Sequence, residues 1–170
     1  MDTARVRLRR LDEDLIAALL DEAVEQAEPG EVMPPVPGPP GWTADRKAAF
    51  LAFHHEWAAT PTTYAILLDD RVVGAARLRP GPDGEFETGL WLGRAHRGLG
   101  VGRVVAELLV ALARAGGAVR LTASTTEANT AVRRLLSDAG ADTTRVDPPR
   151  PDGDTIEATL DLNPPPAPDH

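Results

Sequence analysis

Arg97-Gly98-Leu99-Gly100-Val101-Gly102 stands between a short apolar run, Leu90-Trp91-Leu92, and an amphipathic pattern that continues to about Arg114. That order predicts a strand, a glycine-rich turn and the N-terminus of a helix. Such a junction suits an anion: successive backbone N–H groups are free, no Cβ atoms obstruct approach, and the helix dipole adds partial positive charge. A pyrophosphate fits it. Two common pyrophosphate motifs fail on spacing. A dinucleotide fingerprint, G-x-G-x-x-G, would put its third glycine at Arg103 or Val105, and the P-loop needs a Gly-Lys pair that the chain lacks.

What remains is R-x-x-G-x-G between a strand and a helix. Here the chain resembles the GNAT superfamily of acetyl-CoA-dependent N-acetyltransferases, whose pyrophosphate turn reads [QR]-x-x-G-x-[GA]. A second block, Asn129 to Ala141, is similar to that family's N-x-x-[A]-x-x-L-Y-x-x-x-G-F, with Asn129, Leu135 and Gly140 in register. Leu136 stands where the family usually has Tyr, and Ala141 where it has Phe. In the family that Tyr often protonates the departing thiolate. The resemblance implies an α/β (α+β) fold: a mixed, largely antiparallel central sheet with helices on both faces, splayed between the fourth and fifth strands.

The bulk numbers agree with such an enzyme. At 170 residues the chain is long enough for one domain with a full core. A net charge of −8 argues against nucleic acid and anionic membrane surfaces, and is compatible with a cationic acceptor. The absence of cysteine excludes disulfides, Cys-ligated metals and an acetyl-cysteine intermediate. The start, Met1 to Arg5, is polar and no run approaches a membrane span, so the cytoplasm is the expected compartment. The four histidines show no ligand spacing, and no metal is expected.

Along the chain, Arg5 to Leu8 reads as a strand, and Asp12 caps a helix with Leu15, Ile16, Leu19, Leu20 and Ala23 on its apolar face. Residues 29–42 hold six prolines and three glycines before Trp42, a composition that predicts neither helix nor central strand. Thr43 caps a helix to about Trp57. Thr63–Leu68, Val72–Arg79 and Glu85–Leu92 read as an antiparallel meander turned at Asp69-Asp70 and at Pro80 to Gly84. The helix from about Gly100 should bury Val101, Val104, Val105, Leu108, Leu109 and Leu112, and Gly116-Gly117 ends it. A strand through Val119, Leu121 and Ala123, the Asn129 helix, and strands at Thr143–Val146 and Thr155–Leu162 complete the order. Residues 1–162 are expected to form a single domain, with 29–42 as the acceptor loop and 163–170 as a disordered tail.

The resemblance implies that the backbone of Arg97, Gly98, Leu99, Gly100, Val101 and Gly102 holds the pyrophosphate of acetyl-CoA. By the same token, Leu92 pairs with the pantetheine arm and supplies an oxyanion-stabilising N–H, and Asn129 binds the arm or caps its helix. Arg103 either reaches a phosphate or is an exposed helix arginine. Acetyl transfer needs a neutral amine, so a carboxylate must take a proton. Glu87, in Glu87-Thr88-Gly89-Leu90-Trp91-Leu92, resembles the family's E-x-G-x-W-[LIV] base, and Glu85 shares its strand face. Tyr64, the only tyrosine, is a general-acid candidate by elimination or else a core residue. Glu31, Trp42, His54, His55 and Glu56 combine flat apolar surface with negative charge and are read as the acceptor wall, with Trp42 as a core plug the alternative. The expected reaction is direct acetyl transfer to a primary amine of a small cationic acceptor of aminoglycoside type, which would make the chain an antibiotic-resistance enzyme. Acetylation of a protein N-terminus or lysine, or a non-catalytic acetyl-CoA-binding module, are the alternatives. The family commonly forms dimers.

Overall fold

The computed structural model describes residues 2, 5–59, 62–126, 130–146 and 155–163. The elements are β1 (Val6–Arg10), α1 (Glu13–Gln26), α2 (Pro29–Val32), α3 (Ala44–Ala58), β2 (Thr63–Leu68), β3 (Arg71–Pro80), β4 (Glu85–Leu92), α4 (Val101–Ala115), β5 (Arg120–Thr126), α5 (Thr130–Asp138), β6 (Asp142–Arg145) and β7 (Thr155–Asp161). Single 3-10 turns precede and follow β4, at Pro82–Gly84 and Arg94–His96. The strands are hydrogen-bonded in the order β1-β2-β3-β4-β5-β7-β6. The β1–β2, β2–β3, β5–β7 and β6–β7 pairs are antiparallel, and β4–β5 is parallel. The β4–β5 register comprises four pairs, Glu85↔Arg120 to Thr88↔Ala123.

The chain forms two compact units. One comprises Met1–Arg77 with Gly89–Leu108; the other comprises Leu78–Thr88 with Leu109–His170. In the first, the β2–β3 hairpin turns on Asp69 and Asp70, both at positive φ (48° and 66°), as a two-residue turn of the twist-matching kind requires. Asp12 caps α1 by accepting from Leu15 N at 2.8 Å, and Thr43 caps α3 by accepting from Arg46 N at 3.2 Å. The core gathers Leu19 and Ala23 from α1, Ala27 just beyond its end, Val32 and Met33, Phe50 from α3 and Ala75 from β3. At Gly74 a Cβ would lie 2.1 Å from the Trp91 carbonyl oxygen, so only glycine admits β4 this close to β3.

In the second unit, Leu121 of β5 and Ile156 and Ala158 of β7 are buried, together with Leu109 and Ala113 of α4. Gly117 closes α4 at φ +85°. Ala118 N donates to Ala113 O and Gly117 N to Arg114 O, the paired bonds of a Schellman end. Gly140 ends α5 the same way, with Ala141 N bonded to Leu136 O.

Two expectations fail here. Residues 29–32 are helical, because Pro29 occupies the first helical position, where its missing N–H costs nothing, and Glu28 and Glu31 form a reciprocal capping box. Leu112 is 38% exposed, because the last turn of α4 buries Ala113, one residue further round the helix. The expected tail at 163–170, apart from Asn163, and the connection at 148–153 lie outside the described residues.

The remainder of the Pro-rich segment is irregular, and a single side chain organises it. The Arg46 guanidinium donates to four backbone carbonyls: Val36 (2.9 Å from Nη2), Gly38 (3.2 Å), Gly41 (2.8 Å from Nη1) and Pro39. On α3 the buried His54 donates its Nδ1–H to Phe50 O at 2.9 Å and stacks on the Phe50 ring at 4.0 Å. Burial holds the His54 pKa below its ordinary value, only partly offset by the Phe50 carbonyl.

Two measurements follow. Replacing Arg46 by Ala should cost about 2 kcal/mol in thermal unfolding and expose 36–41 to limited proteolysis, since charged hydrogen bonds each contribute on this scale. Lys at the same position should restore only part, because it lacks the planar fork. For His54, the unfolded chain takes up a proton near pH 6.5 while the folded chain resists it. Its contribution to stability is therefore complete above about pH 6.5 and declines as pH falls below that value. The melting-temperature loss between pH 7.5 and pH 5.5 should be smaller in His54→Phe than in the parent. Glu22, whose pKa burial raises, acts with the opposite sign but is common to both proteins.

Candidate active site

The first unit contains a cavity of about 330 Å³. Its walls are Gly30 to Pro34 of α2 and the following turn, Phe53, His54 and Trp57 of α3, Thr63 of β2, Ala75 to Arg77 of β3 and Gly89 to Trp91 of β4. The helical spacing of Phe53, His54 and Trp57 turns these three inward together. Since Phe50 O can only accept, Nδ1 of His54 carries the proton, and Nε2 is its remaining lone pair. The Arg77 guanidinium lies over the Trp57 ring at 5.0 Å.

One arginine ties this wall to the glycine turn. Arg97 donates Nε–H to the Leu92 carbonyl at 2.9 Å, and its Nη2 lies 3.2 Å from Glu31 Oε1. The segment leading to it is held from α1: Gln26 Oε1 accepts from Ala95 N at 3.1 Å, and His96 Nε2 lies 3.2 Å from Glu22 Oε1. Beyond Arg97, Gly98 and Gly100 adopt φ of +73° and +85°, which explains why both are glycine. Residues 97–100 are exposed, and a Cβ at Gly98 would meet nothing within 4 Å, so the space above the turn is open. Val101 opens α4 and is fully buried, which fixes the helix start beneath the turn. Gly102 follows it within the helix, and Arg103 is exposed and paired with Glu107 at 3.4 Å.

In the second unit, Glu87 Oε2 accepts from Arg79 Nη2 at 2.8 Å, and its side chain is 42% exposed. Glu85 faces Arg120 at 3.8 Å. Along β4, Glu85 and Glu87 share one strand face.

Of the acceptor-wall residues expected from sequence, Glu31 lines the cavity, and His55, Glu56 and Trp42 do not. His55 and Glu56 are exposed, because they fall on the opposite side of α3 from Phe50 and His54. Trp42 takes its alternative role: Nε1 donates to Ala27 O at 2.9 Å and the ring meets Phe50 edge-on at 5.8 Å within the core. Tyr64 lies on the strand face opposite to Thr63, which lines the cavity. Leu92 is buried, and its carbonyl is the one held by Arg97. Asn129 lies outside the described residues. Sequence reasoning passed over Trp57, Thr63 and Arg77. The i, i+3, i+4 spacing of Phe50, Phe53, His54 and Trp57 carried the signal for the aromatic wall, whereas Thr63 and Arg77 meet only through strand pairing.

Among the described residues there is no group of three or more His, Asp or Glu that could hold a metal ion, and no helix is long and apolar enough to cross a membrane.

Residues 5–142 match the acetyltransferase (GNAT) domain family. No curated protein sequence matches the chain. Among solved structures, the chain is similar to yncA, a putative acetyltransferase from Salmonella typhimurium solved with acetyl-CoA. Identity is 21% over 97% of this chain and 98% of that one, with a TM-score of 0.67. A GNAT-family acetyltransferase from Bacillus anthracis is 15% identical over 93% and 95% of the two chains, with a TM-score of 0.71. RimL, a ribosomal L7/L12 alpha-N-protein acetyltransferase, is 14% identical over 92% and 90%, also at 0.71. At these identities the likeness speaks for the fold, and the domain match, which spans most of the chain, decides the family: the chain belongs to the GNAT acetyltransferases.

Proposed function

We infer that the chain transfers an acetyl group from acetyl-CoA directly to a primary amine of a small molecule. The observation that carries this reading is the open turn at Gly98 and Gly100, both at positive φ, between β4 and α4 in a chain of this family. Backbone N–H groups of residues 97–102 hold the pyrophosphate there, with Arg103 beside them. Leu92 receives the pantetheine arm through its backbone, and Asn129 contributes a hydrogen bond to it. The cavity of about 330 Å³ receives the acceptor, a volume that suits a small molecule better than a folded protein surface. The net charge of −8 favours the approach of an ammonium group.

Glu87 is the base. It takes one proton from the acceptor ammonium, and the freed nitrogen lone pair attacks the thioester carbonyl carbon. The Leu92 N–H stabilises the oxyanion of the tetrahedral intermediate. Collapse restores the carbonyl, breaks the carbon–sulfur bond and releases the thiolate, while the second proton of the attacking nitrogen passes through water to the thiolate and leaves a neutral amide. A thiol near pKa 8.5 is a fair leaving group, so water can return the proton without a side-chain acid. Arg79 orients Glu87 by donating to its Oε2 at 2.8 Å.

Introducing Gly100→Glu, which adds bulk, negative charge and backbone strain to the turn, should weaken CoA binding by more than tenfold in calorimetry. Unchanged affinity would sink the cofactor assignment. Glu87→Gln should lower kcat by about 10²-fold or more while CoA affinity stays the same, within the range for a general base. Turnover equal to the parent's would remove Glu87 from the mechanism.

A further inference from the structure

The chemistry of the cavity wall narrows the acceptor, on the reading above that this cavity receives it. Val32, Met33, Phe53, Trp57, Leu90 and Trp91 make most of the lining apolar or aromatic. Glu31 is the only carboxylate among the lining residues, and it already faces Arg97 at 3.2 Å. A ligand with several ammonium groups would shed their hydration here and find no free carboxylate, a heavy penalty for each charge.

One lining side chain keeps an unspent hydrogen-bonding atom. His54 is only 3% exposed, and its Nδ1–H is committed to Phe50 O at 2.9 Å. That bond fixes the tautomer, so Nε2 carries a lone pair and can only accept. The two nitrogens diverge across the ring, so with Nδ1 turned back to the α3 backbone, Nε2 points away from it. Among the described residues nothing donates to Nε2. Nor is it one of the side-chain atoms sealed from solvent without a partner. The lone pair therefore opens onto the cavity that His54 lines. The ring is held in this aim, because Phe50 stacks on it at 4.0 Å and Phe53 meets it edge-on at 5.2 Å. Burial also keeps the imidazole uncharged at neutral pH, the form in which it accepts. An unpaired polar atom on a buried side chain marks a place where a ligand group completes the bonding.

We propose that the acceptor is a monoamine with an aromatic or branched-aliphatic body, and that His54 Nε2 accepts a hydrogen bond from its reacting nitrogen. The body fills the apolar part of the cavity. The protons of the ammonium account for the contact: the base takes one, and water carries another to the thiolate. The third stays on the nitrogen of the amide product, and it is the one that His54 holds. His54 thereby orients the nitrogen lone pair, a role separate from that of the base.

The test is thiol release from acetyl-CoA with phenethylamine and isoamylamine, set against the polycations spermidine and kanamycin. The monoamines should exceed the polycations at least tenfold in kcat/KM. His54→Phe keeps the ring stack and removes the acceptor atom, and it should raise KM for phenethylamine about tenfold while CoA affinity stays the same. His54→Gln, whose amide oxygen can accept from the same direction, should recover part of that loss. A readout free of turnover uses the parent protein saturated with CoA. Adding phenethylamine should move the His54 Nε2 resonance upfield in nitrogen-15 NMR, as a lone-pair nitrogen does on accepting a hydrogen bond. Preference for a polycation, a KM unchanged in His54→Phe, or an Nε2 resonance that stays in place under saturating amine would each overturn the proposal. The NMR arm and His54→Gln decide the matter even if His54→Phe fails to fold. If CoA binds in calorimetry but no monoamine is acetylated, the acceptor assignment falls and the cofactor assignment stands. If CoA does not bind, the acetyltransferase reading itself falls.

Discussion

The Arg97 guanidinium joins two pieces of chain that sequence separates widely. One nitrogen holds the carbonyl of Leu92, at the end of β4, and another faces Glu31 of α2. A planar fork can serve both at once without losing much side-chain freedom, which a flexible ammonium could not do. The consequence is geometric: the end of the strand, the start of the glycine turn and one wall of the cavity keep a fixed relation. The same principle extends upstream. Gln26 holds the Ala95 amide and Glu22 faces His96, while a Cβ at Gly93 would press on the Gln26 Cβ at 2.9 Å. The approach to the turn is thus set by the C-terminal half of α1, so the residues at its start need no side chains of their own to stay in place.

Features that depend on local backbone were legible in the sequence. Asp12 and Thr43 cap their helices, Asp69-Asp70 makes the hairpin, and Gly117 and Gly140 end α4 and α5, because each role is set by chemistry within five residues. Gly98 and Gly100 belong to this class too, since positive φ is written in the residue type. α2 was missed because proline content was read without asking where in a helix the proline would fall.

The site was less legible, for a different reason. Acidic and aromatic residues near a Pro-rich loop suggested an acceptor wall, but helical phase decides which of them face inward. Phe50, Phe53, His54 and Trp57 share one side of α3, so His54 is buried while His55 and Glu56 meet solvent. Trp42 found its partner in a carbonyl fifteen positions away, and Thr63 met Arg77 only through strand register. Neither periodicity nor composition reports side-chain contacts of that span. Leu112 shows the same limit at smaller scale, because the burying face of α4 shifts to Ala113 over its last turn.

Arg46 grips residues 36–41 by their carbonyls alone. Every amino acid carries a carbonyl, so the grip is indifferent to what the loop displays, save at Gly38 and Gly41, whose positive φ values restrict replacement. The course of the loop and its surface chemistry are therefore separable traits. In evolutionary terms, one arginine outside the segment lets its side chains diversify while the backbone path is inherited unchanged. A designer could use that partition, recoding the loop's exposed positions without rebuilding the helix that holds it.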